Sequence, residues 1–108
     1  MPGVRTQVER DWARAVFWMY CIELEEETGW TAEALIARLG ELWIGTRPFF
    51  LGLHEQPVLK ERGLVDDSVS YPVTERAARQ GLYLPSGLAL TESQVNEVIE
   101  AVRDILTH

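Results

Sequence analysis

Lysine and cysteine are almost missing from this sequence of 108 residues, because each occurs only once. Of its ten basic residues only Lys60 is a lysine, so chemistry that needs a lysine amine must use Lys60 or a lysine on another segment. Cys21 has no partner for an internal disulfide and lies in an apolar run, which indicates a buried, inert thiol rather than a nucleophile. The single cysteine and the lack of a signal-peptide pattern predict a cytoplasmic protein.

Long apolar runs, glycine-rich loops and histidine clusters are lacking as well. No run is long enough for a membrane span, and the glycines are scattered singly, which excludes a phosphate-binding loop. His54, the terminal His108 and the one cysteine offer no ligand cluster with workable spacing, so the sequence predicts no metal site. The net charge of -7 and the absence of a basic stripe with interleaved aromatic residues disfavour nucleic-acid binding.

The residues that are present predict one folded domain, with 46% apolar and 25% charged residues. Residues 1–15 carry weak signals and are predicted to be an irregular lead-in. The aromatic and apolar residues 16–24 predict a buried strand. Thr31 is placed to cap a helix whose apolar residues follow at helical spacing. Residues 44–50 predict a second extended segment, which Pro48 restricts to a sheet edge or an exit loop.

The second half of the sequence predicts two further helices and one strand. Residues 51–63 read as a loop with a short helical turn. Pro72 in a first turn and Gly81 just past the end predict a short helix, followed by a strand over residues 82–85. A capping box at residues 91–94 opens the most regular helix. The expected fold is therefore an α/β two-layer sandwich, in which a small sheet of three to four strands carries helices on one face.

Candidate ligand-binding residues are concentrated between Arg47 and His54. Arg47 follows an apolar strand, where its guanidinium could bind a carboxylate or phosphate, or form a structural ion pair with a glutamate. His54 could contact a ligand or serve as a structural hydrogen-bonding residue. Phe49 and Phe50 could line a pocket or seal the core. No nucleophile accompanies them, so the segment is typical of a lid or a pocket wall rather than a complete catalytic site.

Three segments of the sequence form a pattern through their order and spacing. They are Trp18-Met19-Tyr20; Ile44-Gly45-Thr46-Arg47-Pro48-Phe49-Phe50 with the following Leu53-His54 and Gln56-Pro57; and Gly81-Leu82-Tyr83-Leu84-Pro85-Ser86-Gly87 with Leu90-Thr91-Glu92-Ser93-Gln94-Val95. Together they resemble the C-terminal small domain of the DegT/DnrJ family. The family consists of sugar aminotransferases that depend on pyridoxal phosphate, and its members include perosamine synthetases.

This resemblance implies a fold-type-I homodimer, in which a large domain carries the Schiff-base lysine and the pyridoxal phosphate. The small domain would help to close the site over a nucleotide-linked keto sugar, with glutamate as the usual amino donor. By position, Arg47 and His54 would belong to the loop that approaches substrate and cofactor, and Phe49 and Phe50 would support it. The resemblance assigns no catalytic and no cofactor-binding residue to this chain.

The surroundings of Lys60 do not resemble the Schiff-base segment of the family. The resemblance therefore implies that residues 16–108 form the small domain, without the large domain, and that the isolated chain is inactive and binds no cofactor. Apolar surface left uncovered in such a chain predicts self-association. Trp43 departs from the family, which more often has glycine or another small residue where the preceding helix ends, so the position of that helix end is in doubt. The alternative function is a free-standing, non-catalytic binding or assembly module on the same scaffold.

Overall fold

The computed structural model describes all 108 residues as a four-stranded antiparallel sheet with four helices. Two short 3-10 turns, at Glu26–Thr28 and Leu53–Glu55, complete the regular structure. The strands are β1 (Val4–Thr6), β2 (Tyr20–Leu24), β3 (Arg47–Pro48) and β4 (Gly81–Leu84), and the helices are α1 (Ala32–Glu41), α2 (Pro57–Glu61), α3 (Pro72–Gln80) and α4 (Glu92–Thr107).

The strands lie in the order β1-β2-β4-β3, with every neighbouring pair antiparallel. Ile22 is paired with Leu82 at the centre, and both are buried. Helix α1 packs against α3 and α4 and against β3 and β4, so the buried cluster lies between the sheet and the helices. The predicted α/β two-layer sandwich with a small sheet is confirmed, and Pro48 lies in an edge strand as expected.

The structure corrects the prediction for the first 24 residues. The lead-in is not entirely irregular, because β1 pairs with β2 through the register of Val4 opposite Leu24. The predicted strand over residues 16–24 begins only at Tyr20, and its first part is not buried. Phe17 has a φ of 49°, a left-handed conformation that cannot continue a strand. The apolar side chains of Val16 and Trp18 therefore lie in an exposed region before β2. Their apolar character predicts a strand from the sequence, but they do not form one.

Helix α1 begins and ends with recognisable caps. The Thr31 hydroxyl accepts a hydrogen bond from the Ala34 amide at 3.2 Å, as the sequence predicts. At the other end the Ile44 amide donates to the Leu39 carbonyl and the Trp43 amide to the Gly40 carbonyl, each at 3.0 Å. These two bonds form a Schellman motif around Trp43, whose φ is 62°. The doubt raised by a tryptophan at this position is thereby resolved, since Trp43 adopts the left-handed conformation and the helix ends there.

Replacing Trp43 with glycine should stabilise the chain by about 1 kcal/mol. A left-handed conformation costs a residue with a Cβ roughly 1–2 kcal/mol, and the larger unfolded-state entropy of glycine offsets part of the relief. Little burial is lost, because Trp43 is 96% exposed. Thermal unfolding followed by circular dichroism should show a midpoint raised by about 4 °C or more. The matched control is Leu42→Gly, where φ is -93° and no strain is relieved; a similar gain there would contradict the explanation.

The remaining helices also agree with their predicted signals. Pro72 occupies the first turn of α3, and α4 begins with a complete capping box between Thr91 and Gln94. None of the helices has both the length and the apolar character needed to cross a membrane.

Candidate functional site

Arg47 lies in β3, the edge strand, directly opposite Tyr83 of β4. Because Tyr83 is also opposite Cys21, these three residues form a row across the face of the sheet that is turned away from Ile22 and Leu82. The Arg47 side chain is exposed and forms no ion pair, so the structural ion pair considered from the sequence is not present. Its guanidinium is free to bind an anionic group.

The two phenylalanines after β3 have different environments. Phe49 continues the pairing of β3, since its amide donates to the Gly81 carbonyl at 3.1 Å, and its ring lies 4.9 Å from that of Tyr83. Phe50 also contacts Tyr83, at 5.9 Å between ring centroids, but remains 72% exposed. Phe49 therefore packs against β4, whereas the exposed ring of Phe50 is available to a ligand.

Tyr83 is a member of this group that the sequence reasoning did not select. Its partial burial against the rings raises the pKa of its phenol, so the hydroxyl stays protonated and can act as a hydrogen-bond donor. The sequence signal for Tyr83 was the alternation Leu82-Tyr83-Leu84, because successive side chains of a strand point to opposite faces of the sheet. Tyr83 therefore lies on the other face from the two leucines. Burial also raises the pKa of the neighbouring Cys21 thiol, which agrees with an unreactive cysteine, although Cys21 is only half-buried.

His54 is held from several sides in the turn after Gly52. Its Nε2 donates to the Oε1 atom of Glu75 in α3, at 3.1 Å, and its ring lies 4.7 Å from that of Tyr71. A Cβ atom on Gly52 would come within 2.7 Å of the imidazole and of the Thr74 methyl group, so only glycine leaves room for this ring. The hydrogen bond from His54 is the main reason why the pKa of Glu75 is lowered. Through this hydrogen bond, His54 links the 3-10 turn at Leu53–Glu55 to α3.

A cleft of about 680 Å³ opens beside this turn. Its walls are mainly apolar and include Phe50, Leu53 and Leu64, while His54 and Asp66 supply polar groups. Arg47 does not line the cleft. The structure therefore brings Phe50 and His54 into one cleft, leaves Arg47 on the sheet face next to Tyr83, and connects the two places through Phe50.

A second feature of this segment is the buried hydroxyl of Thr46, directly before Arg47. Its oxygen is shielded from solvent and has no hydrogen-bond partner. An unsatisfied buried hydroxyl costs about 1–3 kcal/mol, and such atoms are rare in folded proteins. The start of the candidate segment therefore has an unfilled hydrogen-bonding capacity.

The turn also gathers a set of side chains that sequence spacing did not reveal. Ligand-type atoms of His54, Glu55 and Glu75 all lie within 4.8 Å of one another. His54 and Glu55 are adjacent, but Glu75 is contributed by α3, so no local motif indicates the group. The spacing of the histidines and the cysteine, on which the prediction of no metal site was based, does not indicate this group of three.

Comparisons with known proteins identify the scaffold that carries this site. The sequence profile of the DegT/DnrJ/EryC1/StrS aminotransferase family matches residues 1–103. The chain belongs to this family. Its segment of the family fold includes β1, so the first 15 residues are part of the matched region as well.

Individual relatives agree with the family match. The chain is 34% identical over 93 residues to the GDP-perosamine synthase of Caulobacter vibrioides, covering 86% of this chain and 24% of that protein. It is 28% identical over 108 residues to the spore coat polysaccharide biosynthesis protein SpsC of Bacillus subtilis, covering 98% of this chain and 28% of that protein. Among solved structures, DesV of S. venezuelae in complex with a ketimine intermediate superposes with a TM-score of 0.82 at 27% identity. That superposition covers 99% of this chain and 27% of DesV.

The chain thus spans about a quarter of the length of these relatives. The family is one of enzymes, the aminotransferases. For this chain, the residues present do not fit pyridoxal phosphate by themselves. Lys60 is exposed on α2 and does not line the cleft, and no arginine or lysine lines it to receive a phosphate group. No step of cofactor chemistry can be assigned to the residues of this chain.

Proposed function

We propose that the chain forms the small domain of an aminotransferase that uses pyridoxal phosphate to transfer an amino group, with glutamate as donor, to a nucleotide-linked keto sugar. The main support is the family match over residues 1–103. A second support is that Lys60, the only lysine, lies outside the cleft, so the reacting lysine must belong to another segment. The isolated chain is expected to be inactive and to bind no cofactor.

In this proposal the segment from Arg47 to His54 faces the substrate. Arg47 is exposed and free of ion pairs, so its guanidinium can bind a phosphate or carboxylate group with two parallel hydrogen bonds. Phe50 presents an open aromatic face, and Phe49 packs against Tyr83, which also contacts Phe50. His54 contributes to the wall of the adjoining cleft.

The proposed setting is a cytoplasmic homodimer without membrane or nucleic-acid partners. Large apolar side chains are exposed on several parts of the surface, among them Trp12, Trp18 and Phe50. Where such side chains adjoin one another, apolar surface is typical of regions that contact another segment or subunit. We expect the isolated chain to self-associate for the same reason, which light scattering over a range of concentrations can measure. A strictly monomeric chain at high concentration would argue against it.

The first test uses the isolated chain. After incubation with pyridoxal phosphate and borohydride, mass spectrometry should find no pyridoxyl adduct specific to Lys60, because an exposed amine lacks the contacts that hold the cofactor. A stoichiometric, stable adduct at Lys60 would overturn the proposal. If the adduct formed without any transamination, the alternative of a free-standing, non-catalytic module would remain possible.

The second test joins residues 1–108 to the remaining part of the Caulobacter GDP-perosamine synthase, in place of the matching segment. The chimera should aminate a nucleotide-linked keto sugar, and Arg47→Ala should lower kcat/KM by about 10- to 100-fold, the value of a lost charged hydrogen bond. Arg103→Ala on the exposed side of α4 is the matched control and should change little. A folded, cofactor-loaded chimera without activity, or equal losses in both variants, would contradict the assignment.

A further inference from the structure

The half-buried residues His54, Glu55 and Glu75 form a cluster, of which only His54 also belongs to the proposed substrate-facing segment, as part of the cleft wall. All three residues offer nitrogen or oxygen ligand atoms within 4.8 Å of one another. We propose that they bind a divalent cation, with zinc as the best match to one imidazole and two carboxylates. The site would lie between the turn at Leu53–Glu55 and α3.

The geometry of the cluster is close to that of a coordination shell. His54 Nε2 and Glu75 Oε1 are 3.1 Å apart. Two ligands bound at about 2.0–2.2 Å are themselves roughly 2.8–3.1 Å apart at an octahedral angle and roughly 3.3–3.6 Å apart at a tetrahedral angle. The ligand atom of Glu55 lies within 4.8 Å of both, and the proposed site requires it to join the same shell. The imidazole is already oriented by the Tyr71 ring and by the close approach of Gly52.

The charges of the cluster also favour a cation. Two carboxylates lie within 4.8 Å of each other, and the only cationic group in hydrogen-bond contact with them is His54, which is charged only when protonated. Glu55 is half-buried and forms no hydrogen bond or ion pair of its side chain. The charge of Arg79 acts on Glu75, but from beyond ion-pair distance. A divalent cation bound between the two carboxylates would compensate the charge of both.

The second oxygen of Glu75 has the supporting contact that ligating carboxylates usually possess. Ser70 Oγ donates to Glu75 Oε2 at 3.4 Å, which restrains the carboxylate on the side away from His54. His54 lines the 680 Å³ cleft, so a water molecule or another small ligand could reach the fourth position from there. Zinc accepts imidazole nitrogen readily, whereas magnesium prefers oxygen ligands and keeps its water, so magnesium should bind weakly or not at all.

The alternative is that no metal binds, so that His54 and Glu75 form only a hydrogen bond and Glu55 takes no part. Isothermal titration of the metal-free chain with zinc chloride distinguishes the two. We expect one equivalent of zinc to bind. Glu55→Gln should weaken binding by at least about tenfold, although it leaves the His54–Glu75 hydrogen bond of the metal-free chain in place. Glu61→Gln, at the end of nearby α2, is the matched control and should bind zinc like the unmodified chain.

Other zinc-binding residues and folding defects need separate variants. Cys21→Ser combined with His108→Asn should keep full binding, because neither residue belongs to the cluster. His54→Asn should abolish it, and circular dichroism should show that each variant is folded. Failure to bind zinc at millimolar concentration, unchanged affinity in Glu55→Gln, or loss of binding in the Cys21/His108 double variant would each overturn the proposal. Because the titration uses the chain without cofactor or substrate, its outcome is independent of the proposed aminotransferase role.

Discussion

Replacing Gly81 with alanine should lower the free energy of unfolding by about 3 kcal/mol, at the upper end of the usual cost of overpacking. A Cβ atom at this position would lie 2.3 Å from Cδ2 of Phe49 and 2.5 Å from the carbonyl oxygen of Ala77. The Phe49 ring could move, but the Ala77 carbonyl belongs to the backbone of α3 and accepts the Gly81 amide. The clash therefore cannot be relieved by a side-chain rotation alone.

Urea unfolding followed by tryptophan fluorescence or circular dichroism measures this effect, with the slope m checked for constancy. Gly87→Ala is the matched control, because an added Cβ there meets no atom within 4 Å and φ is not in the left-handed region. Its free energy of unfolding should change by less than about 0.5 kcal/mol. Equal effects of the two substitutions would show that the close approach at Gly81 is not what requires glycine.

The position of Gly81 shows that a correct sequence signal can have another physical cause. The sequence predicts Gly81 as the residue that ends a short helix, and α3 does end at Gln80. Glycine is common there because it tolerates a left-handed conformation, yet Gly81 has a φ of -96°, which any residue can adopt. The requirement comes from the Phe49 ring and the Ala77 carbonyl packed against it, and Phe49 lies in a distant segment that a local pattern around Gly81 does not include.

The fold was predictable where local signals and tertiary packing agree. The Thr31 cap and the Thr91 capping box both mark helices correctly, because each satisfies backbone amides with a side chain only three residues away. Strand β1 was not predictable, since its three residues have no alternating pattern and it exists only through pairing with β2. The exposed residues 16–18 gave the opposite error, because they are apolar like the residues of a buried strand but do not belong to the core.

The candidate site was predictable in part for the same reason. Arg47 and Phe50 could be selected from one short segment, and the structure leaves both side chains exposed. Tyr83 and Glu75 could not, because they come from β4 and α3 and reach the segment only after folding. A single loop of the sequence thus indicates exposed residues that are candidates to contact a ligand. It does not indicate those that orient them.

The second large effect is expected for Leu39→Ala, which should lower the free energy of unfolding by about 2–5 kcal/mol. Leu39 is 0% exposed and belongs to the buried cluster of eight residues that forms the core. Truncation leaves a cavity beneath α1 as well as removing apolar contacts. Since domains of this size are stable by roughly 5–15 kcal/mol, the loss is a large fraction of the total.

Leu39→Ala should also loosen the start of the candidate segment. The Ile44 amide donates to the Leu39 carbonyl, and Ile44 is a member of the same buried cluster, so the helix end and the chain leading to Arg47 are anchored together. Hydrogen exchange at the Ile44 amide should accelerate more than exchange in the centre of α4. Leu42→Ala, on the same helix end but with 51% exposure, should cost less than about 1 kcal/mol and leave this amide protected. If both leucines gave equal losses, or if Ile44 stayed protected in Leu39→Ala, the anchoring of the Arg47 segment would have to lie elsewhere, in the pairing of β3 with β4.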